Sequence, residues 1–307
     1  MQMTLFDLTR EPFEIKNDIR LIELFAGVGS QAMALRNLGA NFTHWKAIEF
    51  DKYAMASYNA IHGTNFEPTD IRDIHGKDLE ITDTYIHTYI LTYSFPCQDL
   101  SISGLQKGMS KGSQTRSGLL WEVERLLCEV EELPQVLIME NVPMVHSLQN
   151  LDDFEQWIEF LNSKGYTSYY EDLNASDYGV AQNRERTFMV SLLGNYNYKF
   201  PAPMPLNKIM KDYLEESVDS NYYVNSQKAL DLIKELEERS ESLSPTIRGG
   251  GKGFDRPPRM GYDTYEMNLK TIEKQTDKAK TLTARDWKGF GAGHQLQNGV
   301  ISWKNIT

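Results

Sequence analysis

Cysteine is scarce: Cys97 and Cys128 are the two in 307 residues. Two thiols cannot build a disulfide framework or a cysteine-rich metal cluster, and they suit a reducing compartment in which a thiol stays free. No apolar run approaches the roughly 20 residues needed to cross a bilayer. The opening stretch MQMTLFDLTREPFEIKNDIR also lacks the positive segment and apolar core of a secretion signal. A cytoplasmic chain with no membrane partner and no metal is therefore expected. An excess of positive charge is missing too. The 32 Lys and Arg against 43 Asp and Glu leave a net charge of −11, which excludes a protein that coats nucleic acid with its whole surface. The deficit is uneven, because residues 1–244 carry 21 basic and 37 acidic side chains whereas residues 245–307 carry 11 and 6. The closing stretch is thus net positive and is a different electrostatic object from the body.

What is present is enough hydrophobic material, 40% of the chain, for one substantial core and a smaller second region. Up to about residue 195, short apolar runs alternate with helical patterns, as in βαβ units around a mainly parallel sheet. Strands are expected at Arg20–Phe25, Trp45–Phe50, Ile86–Tyr93, Gln135–Met139 and Thr187–Leu193. Helices are expected at Ser30–Leu38, Lys52–Ile61, Leu119–Leu133 and Leu151–Asn162, with Cys128 in the apolar stripe of the third. The prolines of Phe200-Pro201-Ala202-Pro203-Met204-Pro205 stop regular structure. They suggest a division into residues 1–197 and 198–307. Beyond them come a helical pattern at Gln227–Arg239 and a glycine- and proline-rich basic stretch. Within it Ser244-Pro245-Thr246-Ile247-Arg248 with Lys252-Gly253-Phe254 is echoed by Lys280–Arg285 with Lys288-Gly289-Phe290. The echo is either chance or a pair of basic hairpins or loops.

Phe25-Ala26-Gly27-Val28-Gly29-Ser30 falls between the first strand and the first helix. Glycines there permit a tight turn and close approach to a ligand at the carboxyl end of a strand, where doubly wound sheets bind nucleotides. A plain chain reversal, NAD and S-adenosylmethionine all fit this turn, although the third glycine of the dinucleotide spacing is missing. Glu49, followed by Phe50, ends the second strand, where an acid can accept both ribose hydroxyls. Asp70, followed by Ile71, comes at the next crossover and could hold an adenine amino group. Tyr93-Ser94-Phe95-Pro96-Cys97-Gln98-Asp99 then places one cysteine, fixed by a proline, just after a buried strand. Most free cysteines are small buried hydrophobes. Cys97 is also placed as a nucleophile would be, so both readings stand at this point.

FAGVGS (25–30), PCQDLS (96–101), ENV (140–142) and QNRER (182–186), in this order and spacing, resemble the cytosine-5 DNA methyltransferases. TRSGLLWEVERLL (115–127) is similar to the segment that follows their catalytic loop. The likeness covers residues 20–193 and implies an α/β, Rossmann-like, S-adenosylmethionine-dependent domain plus a smaller, irregular target-recognition region. It also implies S-adenosylhomocysteine as product, sequence-specific double-stranded DNA as partner, and a bacterial or phage-infected cell with a restriction-modification type of role. Carbon 5 of cytosine is a poor nucleophile, so a thiolate first adds at carbon 6. The resemblance gives that step to Cys97. Such a thiol needs electropositive surroundings at neutral pH. Glu140 would hold a proton against ring nitrogen 3, which asks for a carboxyl whose pKa is raised by burial. Arg186 would bind cytosine oxygen 2, and Arg184 would organise Glu140 or the backbone. Phe25, Ala26, Gly27, Val28, Gly29, Ser30, Glu49, Phe50, Asp70, Ile71, Pro96 and Leu120 would surround the cofactor. The target base must leave the helix to be reached, and residues 103–118, punctuated by glycine, suit a loop that closes behind it. Arg248, Lys252, Arg256, Arg259, Arg285 and Lys288 are the candidates for DNA contacts.

The sequence departs from the family at its end. The Arg-Leu-Gly helix start and the Gly-Asn-Ser/Ala-Val stretch that usually follow the recognition region are not found. A truncated frame, a second polypeptide that supplies the ending, and replacement by local residues are the explanations. The second is the expectation here, with weak activity of the chain alone. An RNA cytosine-5 methyltransferase and a non-catalytic regulatory subunit are the competing readings.

Overall fold

The computed structural model describes residues 10–97, 108–112, 117–208, 210–213 and the backbone of 279–280. The chain divides into two compact units, Met1–Leu173 with Glu185–Ala202, and Asn174–Arg184 with Pro203–Thr307. The strands are β1 (Asp18–Leu24), β2 (Phe42–Ile48), β3 (His87–Tyr93), β4 (Val136–Asn141), β5 (Tyr166–Asn174), β6 (Gln182–Asn183), β7 (Glu185–Leu193) and β8 (Ala279–Lys280). The helices are α1 (Ser30–Asn37), α2 (Lys52–His62), α3 (Leu120–Glu129) and α4 (Leu151–Ser163).

The first unit is built on a six-stranded sheet in the order β2-β1-β3-β4-β7-β5. β1 pairs in parallel with β2 and β3, and β3 in parallel with β4. β4 and β7 run antiparallel, with Glu140 opposite Phe188 and Asn141 opposite Thr187. This is the mixed, mainly parallel α/β fold that the alternating pattern implies. A parallel sheet needs both faces covered, and alternate residues serve the two faces. Ile22, Leu24, Leu91, Tyr93, Leu137 and Met139 join one cluster with Leu120, Val123, Leu126 and Leu127 of α3 and Phe154, Trp157 and Leu161 of α4. Ile19, Leu21, Ile90, Val136, Val190 and Leu192 form the other with Ala32 of α1. Trp157 is fully buried, and its indole N–H donates to the Tyr93 hydroxyl at 3.0 Å.

Several details differ from the sequence-based expectations. α3 ends at Glu129, four residues before the expected Leu133, because the backbone turns extended at Val130 (ψ 145°). Cys128 is exposed, because the buried stripe of α3 runs through Leu120, Val123, Leu126 and Leu127 and position 128 is turned away from it on the last turn. β2 ends at Ile48, two residues before the expected Phe50. Asp51 caps α2 by accepting the N–H groups of Tyr53 (2.8 Å) and Ala54 (3.1 Å), so the chain has already left the sheet. β5 is a strand that no apolar run announces.

In the second unit β6 pairs in parallel with β8 through Gln182↔Ala279 and Asn183↔Lys280. The Ala175–Asp177 turn is capped by Asn174, which accepts the Ser176 N–H at 3.2 Å. The expected Gln227–Arg239 helix lies outside the described residues. Among those residues no helix is long and apolar enough to cross a membrane, and no group of His, Cys, Asp or Glu could hold a metal ion.

Candidate active site

Each crossover of a parallel sheet leaves from a carboxyl end, so β1, β2, β3 and β4 deliver their following loops to one edge. After β1 the backbone passes through left-handed conformations at Phe25 (φ 59°), Gly27 (φ 56°) and Gly29 (φ 80°). Such a run favours glycine, and Phe25 is a non-glycine residue held in it. Gly29 caps α1, and its N–H donates to the Ala26 carbonyl at 2.9 Å. A Cβ on Gly29 would lie 2.3 Å from Nε2 of His62 and 2.7 Å from Cε2 of Tyr58, whereas a Cβ on Gly27 would meet nothing within 4 Å. Glu49 is fixed at both oxygens, Oε2 accepting the Gly27 N–H at 3.0 Å and Oε1 the Asp51 N–H at 2.9 Å. Val28, Ser30 and Phe50 are exposed, and Ala26 is buried. Asp70 receives the Arg72 backbone N–H at 3.0 Å and its Nε at 2.9 Å. The Arg72 hydrogen bond holds the Asp70 carboxyl below the usual range. Ile71 and Leu120 lie in the core cluster against which Phe25 packs.

The second group lies where β3 and β4 end. Tyr93 is in register with Leu24 of β1 and Met139 of β4. Cys97, half-buried, follows four residues after Tyr93. Its loop is tied at consecutive carbonyls, that of Phe95 accepting from Asn141 Nδ2 at 3.0 Å and that of Pro96 from the Ser117 hydroxyl at 2.8 Å. Asn141 and Ser117 are both buried. On the other side, Gln31 Nε2 reaches the Ser94 hydroxyl at 3.1 Å, joining the first turn of α1 to the same loop. Glu140 Oε1 pairs with Arg186 Nε at 3.1 Å, and both side chains are about one-fifth exposed (21% and 19%). Because β7 runs against β4, Arg186 at its beginning meets Glu140 near the end of β4. Arg186 also donates to the Glu185 carbonyl at 2.7 Å.

The structure therefore brings Glu140 and Arg186 into contact and ties the Cys97 loop to the residue beside Glu140. Arg184 belongs to the second unit. There its N–H donates to Asn174 Oδ1 at 3.1 Å and its carbonyl accepts from Ala175 at 2.9 Å. The DNA-contact candidates Arg248, Lys252, Arg256, Arg259, Arg285 and Lys288 lie outside the described residues, as does most of the expected closing loop. Sequence reasoning passed over the tethers. Asn141 was in view as the middle of ENV and Ser117 as part of TRSG, but nothing in a linear spacing says that these side chains end on Phe95 and Pro96. It also passed over Glu23, a buried carboxylate that accepts the Tyr58 hydroxyl at 2.6 Å and the Ala32 N–H at 3.2 Å. Burial pushes the Glu23 carboxyl above its usual range.

Comparison with known proteins gives the site a context. Residues 19–305 match the family model of the C-5 cytosine-specific DNA methylases. The orphan methyltransferase M.SssI of Spiroplasma monobiae is 38% identical over 213 residues, which is 68% of this chain and 53% of that protein. The chain thus spans about half the length of that relative. The type II methyltransferase M.HhaI of Haemophilus parahaemolyticus is 35% identical over 240 residues, 76% of this chain and 68% of the other. Among solved structures, the Dnmt2 methyltransferase of S. pombe superposes with a TM-score of 0.55 at 20% identity, over 72% of this chain and 67% of that one. That likeness speaks for the fold. The family match begins in β1, takes in every loop of the sheet edge just described and extends into both units, so this chain belongs to the C-5 cytosine-specific DNA methylase family.

Proposed function

We propose that this chain is a sequence-specific DNA (cytosine-5) methyltransferase that uses S-adenosylmethionine. The observation that carries the reading is the pairing of two tethers at one sheet edge. Asn141 holds the loop of Cys97 at Phe95, and its neighbour Glu140 is held by Arg186.

The residues of the first two crossovers fit the cofactor. The space beside Gly27, where a Cβ would meet nothing, admits a ligand against the backbone. Glu49, immobilised by two N–H groups, offers acceptor oxygens to a ribose diol, and exposed Phe50 offers an aromatic face to a base. When bound, S-adenosylmethionine supplies an electrophilic methyl sulfonium. In the proposal the chain's residues do the rest. The Cys97 thiolate forms a bond to carbon 6 of the cytosine while Glu140 holds a proton at nitrogen 3, so that carbon 5 gains enamine character. Arg186 orients Glu140 and supports the charge that develops at oxygen 2, and Arg184 fixes the backbone that leads into β7. Once carbon 5 has been methylated, its proton passes to a water molecule while the bond between carbon 6 and sulfur breaks by β-elimination, returning Cys97 as the thiolate. Pro96, Ile71, Asp70 and Leu120 complete the cofactor's surroundings. The first unit is the catalytic one. The second, with the basic candidates between residues 248 and 288, reads the target in double-stranded DNA.

Trapping on DNA that contains 5-fluorocytosine tests this. Wild type should form a denaturant-stable adduct, and Cys97→Ser should form none. Trapping by Cys97→Ser equal to wild type, or no methyl transfer to DNA by wild type, overturns the reading. A structured RNA is the control substrate. The expectation of a second polypeptide has no structural observation behind it, and turnover by the purified chain alone removes it.

A further inference from the structure

His62 stands outside the mechanism just given, yet it touches the glycine turn. It ends α2 one helical turn after Tyr58, so the two rings share a face, with centroids 4.5 Å apart. Nε2 of His62 lies 3.1 Å from the Val28 carbonyl. A carbonyl only accepts, so Nε2 carries the hydrogen, and Nδ1 is left bare in a buried position without a partner. Tyr58 is fixed in turn, donating to Glu23 at 2.6 Å and lying 2.9 Å from Nδ1 of His44. Glu23 also holds the Ala32 N–H at the start of α1. Gly29 packs so closely on both rings that no Cβ fits between.

From this arrangement we infer that His62 is a positioning residue for the cofactor turn. By holding the Val28 carbonyl, its Nε2–H keeps Phe25–Ser30 in the binding conformation before S-adenosylmethionine arrives. A backbone with three left-handed residues in five has many alternative states, and removing that freedom in advance lowers the entropy lost on binding. The inference rests on the proposed cofactor.

The test measures S-adenosylhomocysteine affinity by calorimetry for wild type, His62→Met, which lacks the donor, and His62→Gln, which keeps one at similar reach. Losing one neutral hydrogen bond should raise Kd about two- to tenfold in His62→Met. His62→Gln should stay near wild type. kcat at saturating cofactor should not move in either variant. Equal affinity in all three proteins, or equal weakening in both variants, overturns the inference. Nitrogen-15 spectra of the histidine rings of wild type give a check that needs no variant. The Nε2–H tautomer is expected at His62, and Nδ1–H overturns it. Failure of wild type to bind S-adenosylhomocysteine would instead overturn the cofactor reading itself.

Discussion

Asn141 uses both ends of its amide, Nδ2 donating to the Phe95 carbonyl and Oδ1 accepting the Val142 N–H at 2.8 Å. In Asn141→Ala these buried backbone groups lose their partners, so unfolding in urea should show a loss of about 1–3 kcal/mol. Adduct formation by Cys97 should slow in the same variant. The glycine turn offers a sharper contrast. Gly27→Ala should cost only the left-handed strain, about 1–2 kcal/mol, and leave a folded protein with weakened S-adenosylhomocysteine binding, because its Cβ enters open space. Gly29→Ala adds a clash with His62 and Tyr58 and should lower the melting temperature further than Gly27→Ala. At this scale much was legible. Gly27, Glu49 and Cys97 follow strands and are raised by their placement, whereas Glu140 enters only through the resemblance of ENV. Their partners were not legible, because Asn141 finds Phe95 46 residues away through strand pairing.

Among the elements, α3 shows its buried stripe of Leu120, Val123, Leu126 and Leu127 in its apolar spacing, but the same spacing misplaces Cys128, which is exposed, and runs the helix past its end at Glu129. Its other face holds the segment that follows Asp70. Arg125 donates to the Ile71 carbonyl at 3.1 Å and the Ile74 carbonyl at 2.9 Å, and Glu129 accepts the Gly76 N–H at 2.8 Å. The Gly76 hydrogen bond, followed by Arg125, holds the Glu129 carboxyl down to about 2 from an ordinary 4.5. The unfolded chain therefore takes up the proton first. This contribution to stability is whole above pH about 4.5 and is lost as pH falls towards 2. Urea unfolding across that window should fall less steeply for Glu129→Gln than for wild type. A parallel outcome for the two proteins would show that the carboxylate does not secure the loop. β5 was hidden for an opposite reason. It closes one edge of the sheet, and its residues 171 and 172 are Glu and Asp in a stretch that is mostly half-buried or exposed. An edge strand with one wet side carries no continuous apolar run.

For the whole molecule, the net charge of −11 conceals a basic closing stretch, residues 245–307, with 11 basic and 6 acidic side chains. If that stretch meets phosphates, the logarithm of DNA affinity should fall with the logarithm of salt by about 0.9 for each contact. Replacing Arg248, Lys252 and Arg256 by alanine should flatten the slope, with S-adenosylhomocysteine affinity unchanged. An unaltered slope would move the DNA contacts elsewhere. The antiparallel pairing of β4 with β7 bears on the molecule in another way. Glu140 shares a face with Ile138, and Asn141 shares the opposite face with Met139 and Leu137, as their separate core clusters show. Chemistry and alignment are thus written in adjacent letters and separated only by the pleat. A single residue inserted or deleted within β4 would exchange them, aiming the carboxylate at the Phe95 carbonyl and the amide at Arg186. The strand's reading frame, as much as its composition, is what the proposed active site requires.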